Sequence, residues 1–337
     1  MSPRKPSVTA QDVARLAGVS RAVVSRALSS NGSISPDARA RVLRAAEELG
    51  YQVNFLAQGL NRQRSHLIGV IVSRISDPFR SALLDALLNE IQRQGFQALV
   101  SEIHSEQDLA HTLRRFTQFR VSGVIVTSGQ PPEALVNECV QQHIPVVGIN
   151  RQPTIPGVDY VCSDNVAGAE LAADQLLRSG CRRFGWLNHS PSTWAGRMRG
   201  EAFSRALQAR GVDVERNLAI LACPEEGYTG GFQAAALADE ALEGIFCANA
   251  QIACGFLDGM RQRGKQAPED YQLIGFDNTP PTAQYSYQLT TLHQDVAAIS
   301  RQALARLQER TVDPLQPSRT TWVEVTLIHR RTSPFVI

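Results

Sequence analysis

Polar side chains recur at the ends of short apolar runs in this chain of 337 residues. Asp77-Pro-Phe79 follows the run 67–72, Thr127-Ser128 follows 124–126, and Asn150-Arg151 follows 146–149. Arg197 and Arg199 lie beyond 184–187, Asn249 follows 245–247, and Asp277 follows 273–276. Arginine offers a planar fork of donors to a hydroxyl, ring oxygen or carboxylate; aspartate accepts two hydroxyl hydrogens, and asparagine does both. Gathered in one place, these residues suit a polyhydroxylated small molecule, with Tyr228 or Trp194 as an apolar platform for a sugar face. Any one of them alone at a strand end reads as a cap or a surface ion pair. Recurrence at successive strand ends is what argues for a site.

The elements that would position these residues follow from the apolar runs themselves. Eight of them, 67–72, 97–100, 124–126, 146–149, 184–187, 219–221, 245–247 and 273–276, alternate with helical segments. Such alternation specifies parallel sheets with helices on both faces. Some 270 residues in this style predict two lobes, each large enough to bury a core. A ligand cleft is expected at the carboxyl ends of the strands.

The first sixty residues read differently. Thr9 is placed to cap a helix, with Asp12 three residues on returning a capping-box bond. Val13, Leu16 and Ala17 are expected on one inward face. Gly18 permits a tight turn, and Ser20 caps a second helix from about Arg21, with Val24, Ala27 and Leu28 inward. That leaves Ser20, Arg21, Ala22 and Ser25 outward, as a recognition helix requires. Ser35-Pro36-Asp37 opens a third helix whose expected apolar stripe is Val42, Leu43, Ala46 and Leu49, before Gly50 stops it. Through Arg64 there are ten Lys/Arg against four Asp/Glu, net +6; the remaining chain holds 24 against 28, net −4. A basic helix-turn-helix head on an acidic body is the charge distribution that phosphate contact needs.

Residues 9 to 60 resemble the headpiece and hinge of the lactose-repressor/galactose-repressor family of bacterial transcription regulators. The likeness is carried by Asp12-Val-Ala-Arg-Leu-Ala-Gly-Val-Ser20, Val24-Ser-Arg26, Leu49-Gly-Tyr51 and Asn54-Phe-Leu-Ala-Gln-Gly-Leu60, followed by Ile68-Gly-Val70. It implies a hinge at about 54–60 that becomes helical on operator DNA, with Asn54 as its cap and Leu60 as a minor-groove wedge. Thr9, Arg26, Asn31 and Ala57 complete the expected DNA-facing set. Val53 departs from the proline usual before that asparagine. The later chain, to about Glu324, resembles the family's effector domain, which is similar to periplasmic sugar-binding proteins. In this family Arg199, Asp277 and Gln294 match residues that contact the effector. Ala250 stands where many sugar-binding members have aspartate, Ser73 replaces a common acid, and Arg74, Arg80 and Arg151 add positive charge, which tilts the expected effector toward a sugar acid or sugar phosphate.

The resulting expectation is an all-α helix-turn-helix headpiece (1–60), a linker (61–65) and an α/β, two-lobed, periplasmic-binding-protein-like effector domain (66–337). One lobe would comprise about 66–162 plus 293–322, the other about 163–292 plus 323–337. Two headpieces on a homodimer would read a near-palindromic double-stranded operator under control of a small-molecule effector, as a repressor. No leucine heptad follows the last strand, so no tetramer through a C-terminal helical bundle is expected. Six scattered cysteines and seven histidines show no metal spacing, and no cofactor is expected. A Met-Ser-Pro-Arg-Lys start without an apolar core and the lack of any run of about 18 apolar residues point to the cytoplasm and no membrane contact. An enzyme or solute-binding protein with an incidental helical head is the competing reading. It lacks a Gly-x-Ser-x-Gly elbow, a Gly-x-Gly-x-x-Gly turn or a phosphate loop to support it.

Overall fold

The computed structural model describes residues 8–28, 34–51, 65–127, 133–190 and 192–335. The chain divides into two compact units, residues 1–65 and 66–337.

The first unit contains α1 (Ala10–Ala17), α2 (Arg21–Ala27) and α3 (Pro36–Glu48). Thr9 and Asp12 form the reciprocal capping box: the Asp12 carboxylate accepts from the Thr9 backbone N–H at 3.0 Å and from its hydroxyl at 2.7 Å. Gly18 sits at φ +65°, a left-handed position open to glycine without Cβ strain, and Ser20 and Ser35 cap α2 and α3. The core is Val13, Ala14, Ala17, Val24, Ala27, Val42, Ala45 and Ala46, with Leu28 and Leu49 packed against it. Two expected core residues are instead exposed: Leu16 at 47% and Leu43 at 50%. The buried face of α1 takes in Ala14 in place of Leu16, and that of α3 takes in Ala45 in place of Leu43.

The second unit holds two six-stranded sheets. The first, in the order β11-β5-β4-β3-β1-β2, comprises Thr320–Val323, Val158–Ser163, Val146–Ile149, Gly123–Val126, Leu67–Val72 and Gln97–Glu102, all parallel. The second, β12-β10-β9-β8-β6-β7, comprises Val325–Ile328, Thr290–Gln294, Gln272–Asp277, Gly244–Cys247, Phe184–His189 and Leu218–Cys223, with only β12 antiparallel. Strands such as Gly123–Val126 and Gly244–Cys247 are buried throughout, as parallel strands covered on both faces must be. The chain passes between the sheets after β5, after β10 and between β11 and β12. Helix Val296–Val312 follows second-sheet β10 yet packs on the first sheet.

Four strands were absent from the apolar-run reading: β5, β10, β11 and β12. Their polar residues obscure the pattern. Asp159 in β5 is 1% exposed because Arg310 grips it with two hydrogen bonds of 2.7 and 2.9 Å. Thr290 in β10 is fully buried, its hydroxyl donating to the Arg330 and Ser333 carbonyls.

Candidate functional site

Strand ends and helix caps together deliver side chains to one cavity in the second unit. Asp77, after β1, caps helix Pro78–Arg93, accepting through Oδ1 from the Phe79 and Arg80 backbone N–H groups at 3.0 Å each. Asn249, after β8, caps helix Ala250–Gln262 through the Ile252 N–H at 2.9 Å. Both are therefore caps and cavity residues at once. Asn150, just after β4, and Asp277, at the end of β9, lie in the left-handed region, at φ +51° and +87°, conformations that Asn and Asp tolerate better than most side chains.

The centre of the site is a chain of hydrogen bonds. The Gln294 amide donates to Asp277 Oδ1 at 2.6 Å, while its own Oε1 accepts from Ser163 Oγ at 2.5 Å and from Asn150 Nδ2 at 3.3 Å. Asn150 Oδ1 in turn accepts from the Ser163 backbone N–H at 2.8 Å. Arg199, 6% exposed, donates Nε to Asn165 at 2.8 Å and Nη1 to the Ala248 carbonyl at 2.6 Å. Its Nη1 lies 3.8 Å from Asp277 Oδ1, and its guanidinium carbon lies 3.5 Å from the centre of the Phe276 ring. That stacking and those fixed acceptors hold the guanidinium plane still. Burial pushes the Asp277 carboxyl up to about 6 despite Arg199 beside it, and burial pulls Arg199 down to about 10. The pair has been taken out of water without being drawn into tight contact.

Two adjoining chambers share Asp77, Arg80, Thr193, Arg199 and Asn249. The inner one, about 130 Å³, is also lined by Phe79, Thr127, Asn150, Asp277 and Gln294. The larger, about 320 Å³, extends to Asn188, His189, Gln251 and the ion pair of Arg74 with Glu226. Of the eleven residues expected to hold an effector, eight thus line the inner chamber. Ser128 lies outside the described residues. Arg197 is exposed and donates to the Ser192 carbonyl. Tyr228 lines neither chamber, its hydroxyl donating to Asp258 at 2.9 Å and its ring stacked near Phe232. Trp194 does not line the cavity either; its ring lies 6.4 Å from that of Trp322. The apolar wall is supplied by Phe79, Leu83 and Ile149. Ser163 and Asn165 were missed because they end and follow β5, a strand the apolar pattern did not reveal.

In the first unit, Ser20, Arg21, Ala22, Ser25 and Arg26 share the exposed face of α2, opposite buried Val24 and Ala27. Thr9 is exposed at the start of α1. Asn31, Asn54, Ala57 and Leu60 lie outside the described residues.

Residues 9–54 match the family of bacterial regulatory proteins, lacI family, and residues 173–333 match a periplasmic binding protein-like domain. The chain is 32% identical to the HTH-type transcriptional regulator GalS of Salmonella typhimurium over 327 residues, 96% of each protein. The chain belongs to the lacI family of bacterial regulatory proteins. A member of this family is a DNA-binding transcriptional regulator and not an enzyme, which settles the competing reading. Its fold is that of the lac repressor dimer bound to operator and the anti-inducer ONPF, with a TM-score of 0.84 at 23% identity over 98% of this chain and all of that one. A lacI-family regulator from Enterococcus faecium with bound ribose superimposes with a TM-score of 0.72 at 26% identity, covering 80% of this chain and 100% of that one. Among the described residues no group of His, Cys, Asp and Glu could hold a metal, and no helix is long and apolar enough to cross a membrane.

Proposed function

We propose that this lacI-family regulator is a cytoplasmic homodimeric repressor whose grip on a near-palindromic operator is set by a polyhydroxylated small molecule bound in the cavity between the two sheets. The observation that carries the effector reading is the Asn150–Gln294–Asp277 chain beside Arg199: donors and acceptors converge on a chamber whose walls come from both sheets. A ligand that bonds both walls binds one relative placement of the sheets better than another, which is the differential affinity control requires. The ribose-bound relative supports a sugar-like ligand, and the operator-bound relative supports the dimer.

On the DNA side, Ser20, Arg21, Ala22, Ser25 and Arg26 face the major groove, with Thr9 and Asn31 near the backbone. Asn54, Ala57 and Leu60 form the hinge, domain boundaries falling near 60 and 65. Leu60→Ala then weakens specific operator binding far more than nonspecific binding in a salt-controlled gel-shift series; equal losses would reduce the hinge to a linker. The effector reading is tested by thermal-shift screening of sugars, sugar acids, sugar phosphates and nucleosides, followed by operator binding with each hit. Hits that leave operator affinity unchanged would overturn it.

A further inference from the structure

The two walls of the cavity handle positive charge differently. On the second-sheet side, Arg199 has Asp277 as a partner. On the first-sheet side, Arg80 gives Nη1 to the Ser73 carbonyl at 3.1 Å and to its hydroxyl at 2.7 Å, and Arg151 gives Nη2 to the Thr127 carbonyl. The Arg151 Nε is buried with no hydrogen-bond partner. Neither arginine makes an ion pair with a carboxylate among the described residues. Asp77 and then Asp277 ease the charge on Arg80 from a distance, but Asp77 Oδ1 accepts from two backbone N–H groups and Asp277 Oδ1 accepts from the Gln294 amide.

The cost of this arrangement shows in the proton affinities. Burial first, then the charge of Arg80, brings Arg151 down to about 10, while burial and then Arg74 lower Arg80. Two half-buried guanidinium groups lining one chamber, one with an idle buried donor, form an incomplete charge arrangement. An oxyanion would complete it, since charge-assisted bonds from two forks match carboxylate and phosphate geometry.

We propose that Arg80 and Arg151 form an oxyanion subsite, and that the effector is a polyhydroxylated molecule carrying a carboxylate or phosphate. Its anionic group sits on the first-sheet wall and its hydroxyls meet Asp277 and Gln294. This deepens the effector reading above and rests on it.

The full-length protein is unfolded thermally in inorganic phosphate and in chloride at matched ionic strength, as wild type, Arg80→Gln, Arg151→Gln and Arg151→Lys. Phosphate raises the wild-type melting temperature through its occupancy; both glutamine variants lose most of that rise and the lysine variant keeps part of it. A rise that is absent from the wild type, or equal in wild type and Arg151→Gln, overturns the subsite. Calorimetry with a neutral hexose, its hexonate and its 6-phosphate separates the sources. An anionic form binds about tenfold or more tighter than the hexose, the scale of one charge-assisted hydrogen bond, and Arg151→Gln erases that ratio. A neutral hexose bound as tightly as both anions overturns the inference while leaving the effector reading standing. A ligand that binds through Arg151 without altering operator affinity leaves the subsite standing and sinks the effector reading instead.

Discussion

Two buried Arg–Asp pairs in the effector unit are built to different standards. Arg310 and Asp159, far along the first sheet, are joined by two bonds of 2.7 and 2.9 Å, and the guanidinium also donates to the carbonyls of Pro314, Gln316 and Pro317. Asp159 Oδ1 accepts the Arg319 N–H as well. Every demand of that charge pair is met by protein, so it clamps the end of helix Val296–Val312 to β5. Arg199 and Asp277 stay 3.8 Å apart, and Asp277 is left with a proton affinity raised by burial. The contrast teaches that a structural pair is closed, whereas a pair at a ligand site keeps bonding capacity in reserve.

Arg310→Ala strands a buried carboxylate and lowers stability by about 3–5 kcal/mol, read by chemical denaturation; a loss under about 1 kcal/mol would mean the clamp is idle. Arg199→Ala costs less, about 1–2 kcal/mol, because Asp277 keeps the Gln294 amide and takes up a proton readily. It abolishes the effector response nonetheless. Equal destabilisation by the two variants would erase the distinction between closed and open pairs.

Acidity provides a gentler probe. Asp277 holds its proton more tightly when folded, at about 6, than the ordinary carboxyl near 3.8. The folded state is therefore favoured by this group at low pH, and that contribution is lost as pH rises through about 6. Between pH 7.5 and 5 the wild type gains on the order of 1 kcal/mol relative to Asp277→Asn; parallel stability curves for the two proteins would contradict the raised affinity. Smallest in reach is Thr9→Ala, which removes the capping box of α1. It costs about 1 kcal/mol in the headpiece transition alone and leaves the effector unit's melting unchanged.

Legibility in the sequence follows the range of the interactions involved. The headpiece caps span three residues, so Thr9, Asp12, Ser20 and Ser35 were readable from the chain. Leu16 and Leu43 were misplaced because helical spacing fixes a face only to within about one residue. Strand β5 was hidden by Asp159, whose burial depends on Arg310, 151 positions away. With β5 went Ser163 and Asn165, hence the partners that orient Gln294 and Arg199. Gln294 itself was reached only through family resemblance, since β10 carries no continuous apolar run. The first-sheet arginines were visible as residues, but that neither pairs with a carboxylate among the described residues is a property of the packed cavity.

The most direct test of the central claim is fluorescence anisotropy of the full-length protein on its operator fragment, titrated with the effector found by thermal-shift screening, for wild type and Arg199→Ala. Operator affinity without effector is equal in the two proteins; effector shifts it by about tenfold or more in wild type, within the usual range of allosteric coupling, and leaves the variant unchanged. An Arg199→Ala protein that responds at the same effector concentration as wild type would show that control of DNA binding does not run through this cavity.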